Sequence, residues 1–240
     1  MKDRWDSLAD SWRLIRISAL LVAGRRFWIT PLVPALWLAF QAVRLLVGWE
    51  DQRFKAVSAQ NLLIGVPLTA LAVGLGIRII ADEIDRRTLE IAYTVPGGCH
   101  RVWLAKLAAA SLLLIASEAL LAILTFAFFT AFPLSALYGA LQAAVFYLVM
   151  AMAFAVLFRS EITGAMATIA ALALNGLISG FGDNQMRFSP FFNPLAIADS
   201  RAADLFAWTL QNRIGFAMVI AVIAALAFAR AERREKLLGG

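Results

Sequence analysis

Residues 81–106 read ADEIDRRTLEIAYTVPGGCHRVWLAK, a long charged interruption between two strongly apolar runs. Asp82, Arg86 and Glu90 form one ladder at four-residue spacing and Glu83 with Arg87 a second, the arrangement in which opposite charges meet on a helix surface. Ile84, Thr88, Ile91 and Val95 take the other face. Pro96 lacks an amide donor, and Gly97 and Gly98 let the chain turn back, so the helix is predicted to stop there. The reading is a short amphipathic helix that stays in water between two segments that do not. Such a helix is a handle for a partner protein.

The flanking runs belong to a chain of 240 residues that is 62% hydrophobic, 16% charged and has a mean hydropathy of +0.78. A single soluble domain of this size cannot hide that much apolar surface, so the bilayer is the expected solvent. A span takes roughly 20 mainly apolar residues, and six runs qualify, at about 30–47, 61–81, 107–130, 134–158, 162–181 and 213–230. The first and last are short, which leaves Arg44, Arg213 and Arg230 to snorkel toward headgroups. The runs are continuous rather than alternating, which excludes a transmembrane barrel. The predicted class is an all-α polytopic membrane protein, one domain over residues 1–240.

Sixteen of the 22 Lys and Arg fall on the side that holds the N-terminal arm, the 78–106 segment, Arg159 and the C-terminal tail. The positive-inside rule then puts both termini in the cytoplasm, in a cytoplasmic (inner) membrane. The net charge of +6 reflects the same bias and calls for anionic lipid, not nucleic acid. Cys99 stands alone, so neither a disulfide nor a thiolate metal site is expected within one chain.

Residues 1–28 are too rich in charge for a cleavable signal peptide. Trp5, Leu8, Trp12, Ile15, Ala19 and Val22 recur at helical spacing, which predicts an amphipathic arm lying in the membrane interface. Gly24, Arg25 and Arg26 form the bend after it, and Thr30 before Pro31 reads as the cap of the first span. Trp49 sits where an aromatic belt belongs, and the links near Pro133 and at Arg159–Glu161 are tight turns. Residues 182–212 form a long external segment, with Leu195, Ala198, Ala202, Phe206 and Leu210 as one face of a second interfacial helix.

The chain has no G-x-x-x-x-G-K-[ST] loop and so cannot hydrolyse a nucleotide by itself. It has one histidine, His100, and neither H-E-x-x-H nor G-x-S-x-G, which argues against a metalloprotease or a serine hydrolase. No catalytic residues and no metal site are expected. Glu118 is the acid deepest in a span, where a charge costs about 3 kcal/mol on insertion scales. It is either a proton or substrate site or a structural carboxyl, with Gln142 or Asn175 as its candidate partner. Asn175 and Gln142 otherwise read as interhelical polar links. Gly176 and Gly180 form a small-xxx-small pair, and Lys106 opens the third span as a headgroup anchor.

The layout, an interfacial helix, two spans, a charged cytoplasmic helix and four more spans, resembles the type 2 ABC exporter permeases. The residues that carry the likeness run from Asp82 to Lys106. They are the acidic and basic run to Arg87, then Thr88, Leu89 and Glu90, then Pro96 and Lys106. Phe192, Asn193, Pro194 and Leu195 resemble the family's element before the last span. Where Arg87 stands, members commonly carry Gly. The resemblance implies that Glu83, Arg86, Arg87, Thr88, Leu89, Glu90 and Pro96, within an 82–106 segment, couple the chain to a separate ATP-binding subunit. That subunit would hold ATP and Mg, leaving this chain without a cofactor. It also implies a second permease copy or a sister permease beside this one. Two other classes remain: a proton-coupled or channel-like transporter built on Glu118, and a membrane scaffold or lipid enzyme. The absence of a paired nucleophile and base weighs against the last.

Overall fold

Helices form because the apolar runs leave no water for backbone N–H and C=O groups, which must therefore bond within their own segment. The computed structural model describes residues 2–49, 54–85, 99–182, 186–197 and 202–232. Seven helices make up most of these. They are α1 (Lys2–Ala23), α2 (Phe27–Leu46), α3 (Ala56–Asp85), α4 (Cys99–Phe128), α5 (Leu134–Phe158), α6 (Glu161–Ser179) and α7 (Ala202–Ala231). From α2 onward the six are long and apolar enough to cross a membrane.

Helices α3 and α5 form the centre, each 61% buried over its most apolar window, whereas α6 and α7 are 11% buried and line the periphery. Helix α5 packs on α3, α6 and α7, and α4 packs on α1, α3 and α2. Leu75, Ile79 and Ile80 of α3 and Leu148, Met152 and Val156 of α5 are buried in one apolar cluster. In lipid such contact gains close van der Waals packing rather than escape from water. Glycine allows that closeness. A Cβ on Gly76 would lie 2.9 Å from Ala151 Cβ and against the Leu148 carbonyl, and one on Gly164 would lie 2.6 Å from Ala155 Cα. Gly176, by contrast, faces open space, and Gly180 meets only its own helix. The small-residue pair predicted to mark a helix contact is therefore unpacked in this chain. The contacts fall instead on Gly76 and Gly164.

Helix α3 is irregular in a way that matters below. Pro67 cannot donate to the carbonyl four residues before it, and the helix widens ahead of it into a π-segment, Ala59–Gly65. Further on, bonds from Arg78 to Leu75 and from Ile79 to Gly76 tighten one turn before Ala81–Asp85.

Several expectations change at the ends of helices. Gly24, at φ +84°, does make the bend after α1. The predicted stripe of α1 divides: Ala19 and Val22 are buried where α1 packs on α4, Trp12 is 64% exposed, and the side chains of Trp5 and Leu8 lie outside the described residues. Thr30 and Pro31 lie inside a 3-10 turn, Phe27–Leu32, and the regular part of α2 starts at Ala35. The predicted external interfacial helix is overturned from Ala202 onward, because that stretch is the start of α7, one continuous helix to Ala231. Arg159, at φ 56°, ends α5 in the left-handed region, and the Ser160 hydroxyl caps α6 by accepting from the Thr163 amide.

Candidate functional site

Polar side chains gather at the two ends of the bundle and at one point between. At the end where α3 stops and α4 begins, Glu83 is buried and both its oxygens are used. Oε1 accepts from Lys106 Nζ at 2.7 Å and Oε2 from Trp103 Nε1 at 3.0 Å. Lys106 is 2% exposed and so is no headgroup anchor. Among the described residues the partners of Glu83 are thus two side chains of α4. The reason is packing: α3 brings Glu83 against the first turns of α4, where a carboxylate is best held by donors already desolvated. Arg86, Arg87, Thr88, Leu89, Glu90 and Pro96, with the rest of 86–98, lie outside the described residues. What the clamp fixes is the two chain ends from which that segment springs.

The same end is tied further. Trp103 stacks on Phe228 of α7 with centroids 6.2 Å apart, and His100 meets both rings edge-on and bonds Glu232. Asp85 accepts from the Glu161 amide, and Arg78 donates to the Val22 carbonyl. The predicted Cys99–His100 connector is helical from its first residue, as Cys99 begins α4. Helices α1, α3, α4, α6 and α7 thus converge around the ends of the 86–98 segment.

At the opposite end the connector 186–197 folds into the bundle. Gln60 Nε2 donates to the Phe192 carbonyl at 2.8 Å, and Asn193 Nδ2 to the Val57 carbonyl at 2.9 Å. Asn212 Nδ2 reaches the carbonyls of Arg187 and Ser189 at 2.8 and 2.9 Å, and Asn175 Nδ2 reaches Ser189 Oγ at 3.1 Å. Phe192 and Asn193 are fully buried. Gly139 makes room, since a Cβ there would lie 2.5 Å from Gln60 Nε2. Backbone carbonyls of an irregular segment need donors when buried, and amide side chains from α3 and α7 supply them, while Asn175 of α6 holds the Ser189 hydroxyl. Gln142 joins α5 to α7, donating to the Asn212 carbonyl and accepting from Arg213 at 3.0 Å. Arg213 is thus engaged inside the bundle, where snorkelling was expected. Gln41 is likewise buried, and its Oε1 accepts from Arg44 at 3.0 Å.

Sequence reasoning did not single out Gln60, Asn212 or Gly139. The signal was an amide residue within a few positions of an apolar run's boundary, the place where helix and connector must share hydrogen bonds.

Glu118 lies between the two ends, 7% exposed, with Oε1 buried and without a hydrogen-bond partner. Gln142 and Asn175, its candidate partners, are engaged elsewhere. The carboxyl therefore does not stitch helices through either. Replacing it by Leu is expected to leave thermal stability within about 1 kcal/mol of the parent, because removing the buried, unbonded Oε1 offsets the loss of the carboxyl's contact with the Leu141 backbone. A large loss of folded protein for Glu118→Leu, read by melting in detergent, would contradict this. Comparison with family models, curated proteins and solved structures finds no match to this chain.

Proposed function

We propose that this chain is the membrane-spanning permease of an ATP-driven exporter of the ABC type 2 kind, coupled through residues 82–106 to a separate ATP-binding subunit. One observation carries the reading. The buried Glu83–Lys106–Trp103 clamp anchors both ends of the charged 86–98 segment to α3 and α4. A partner pressing on that segment would therefore move helices rather than deform a loop. Such a push shifts a bistable packing as a rigid body, between states open to the two sides of the membrane. ATP and Mg belong to the partner subunit, and a second copy of this chain or a sister permease completes the path. The helices α6 and α7, exposed along most of their length, offer surface for it.

The basic bias puts both termini and the 82–106 segment in the cytoplasm of a multi-pass inner-membrane protein. With Cys99 replaced, a single cysteine at Trp49, which is 70% exposed, is expected to react with an impermeant reagent on intact cells. One at Arg26 is expected to react only after lysis. The reverse pattern overturns the orientation. Purification from its own membranes in mild detergent is expected to retain an ATP-binding subunit in stoichiometric amount. Transport by the chain reconstituted alone, without nucleotide, would defeat the reading.

A proton-coupled or cation transporter is the second reading, favoured by the buried Glu118, whose Oε1 has no hydrogen-bond partner. Glu118→Gln keeps the shape and removes the titratable proton. It is expected to be tolerated by an ATP-driven exporter and to abolish transport in the alternative.

A further inference from the structure

Arg187 and Arg213 bring two guanidiniums to the connector end of the bundle, and among the described residues neither makes an ion pair. Arg213 donates to Gln142 Oε1 and lies 5.1 Å over the Tyr138 ring. Arg187 lies 4.5 Å over Phe188 and 5.4 Å over Trp208, and its Nε is buried without a partner. Asn212 joins the two, since its side chain holds the Arg187 carbonyl and Arg213 is the next residue. A neutral amide and aromatic faces hold a guanidinium in place without cancelling its charge. The pair therefore keeps positive charge and free N–H donors at the edge of an apolar slab, where charge is otherwise avoided.

The surroundings define the ligand. Tyr138, Phe188, Leu210 and Ile214, beside the two arginines in sequence or in contact with them, are all about half exposed or more. An aromatic rim over an apolar helix face is the pattern of a headgroup boundary. We propose that the seam between α5 and α7 at this end binds an anionic phospholipid, its phosphate held by Arg187 and Arg213 and its acyl chains along α7. Guanidinium suits this role because its planar donor fork matches phosphate oxygens and is weakly hydrated. The inference rests on the chain lying in a bilayer and is independent of the transport reading.

The test is a lipid titration of the full chain purified in detergent, read by melting temperature. Phosphatidylglycerol, phosphatidylcholine and inorganic phosphate are compared on the parent and on the Arg187→Gln, Arg213→Gln double variant. The parent is expected to be stabilised more by phosphatidylglycerol than by phosphatidylcholine, and not by inorganic phosphate. In the double variant the phosphatidylglycerol midpoint is expected to move about tenfold or more higher, for loss of two charge-assisted contacts. Equal effects of the two lipids in the parent would overturn the site. So would an unchanged midpoint in the double variant, which would place the preference on the basic surface at the other end. Stabilisation by inorganic phosphate alone would overturn the lipid assignment. If the double variant does not survive extraction, Arg187→Gln, outside the spans, takes its place, and an unchanged midpoint there again overturns the site.

Discussion

Glu83→Lys is expected to remove most of the folded protein from detergent extracts, at a cost of about 3–5 kcal/mol, the penalty for breaking a buried ion pair from one side. The variant places a second ammonium against Lys106 and removes the carboxylate oxygen to which Trp103 Nε1 donates. Glu83→Gln should be milder, since an amide oxygen still accepts from either donor. Exchanging the pair, Glu83→Lys with Lys106→Glu, should recover part of the loss, though not the indole bond. The readout is the monodisperse fraction by fluorescence-detected gel filtration, with melting temperature on what survives. A well-folded Glu83→Lys protein would show that the clamp contributes little. If that protein also kept its ATP-binding partner and its transport, the 82–106 segment would lose its assigned role at this residue.

The second large effect is expected at Gly76. A side chain there collides with the Leu148 backbone and Ala151 Cβ, and backbone cannot swing aside as a flexible side chain would. Gly76→Leu should force α3 from α5, the two most buried spans, and cost about 3 kcal/mol, the upper range for overpacking. Gly176→Leu is the internal control. It adds the same group to a glycine with open space around it and should stay within about 0.5 kcal/mol of the parent. Comparable melting of the two variants would mean that the α3–α5 seam yields more readily than its geometry implies.

These two residues mark what a reader of the sequence alone can reach. The six spans were legible because length and continuous hydropathy are local properties, and a bilayer enforces them. Helix starts were less so. Helix α7 begins eleven residues before its expected start at 213, because Asn212 and Arg213 look like a boundary until the partners that satisfy them are known. Glu83 was assigned to an exposed ladder on the strength of Arg87 at i+4, yet its partners stand 20 and 23 residues away. A hydrogen bond across a turn has no periodicity to betray it. The glycines teach the same lesson: small residues four apart flank Gly76, Gly139, Gly164 and Gly176 alike, and the spacing does not say that only the first three meet a neighbour. The Glu118 anomaly was legible, because an acid within an apolar run is conspicuous anywhere. The orphaned state of its Oε1 was not.

The π-segment of α3 holds one residue more than an α-helix of the same length would. Expelling that residue would turn the helix ahead of it by about 100°. Gln60 would swing off the Phe192 carbonyl, and the space beside Gly139 would lose its occupant. The opening turn of α3 and the connector therefore share one angular setting. A change of register in the one would have to be matched by the other.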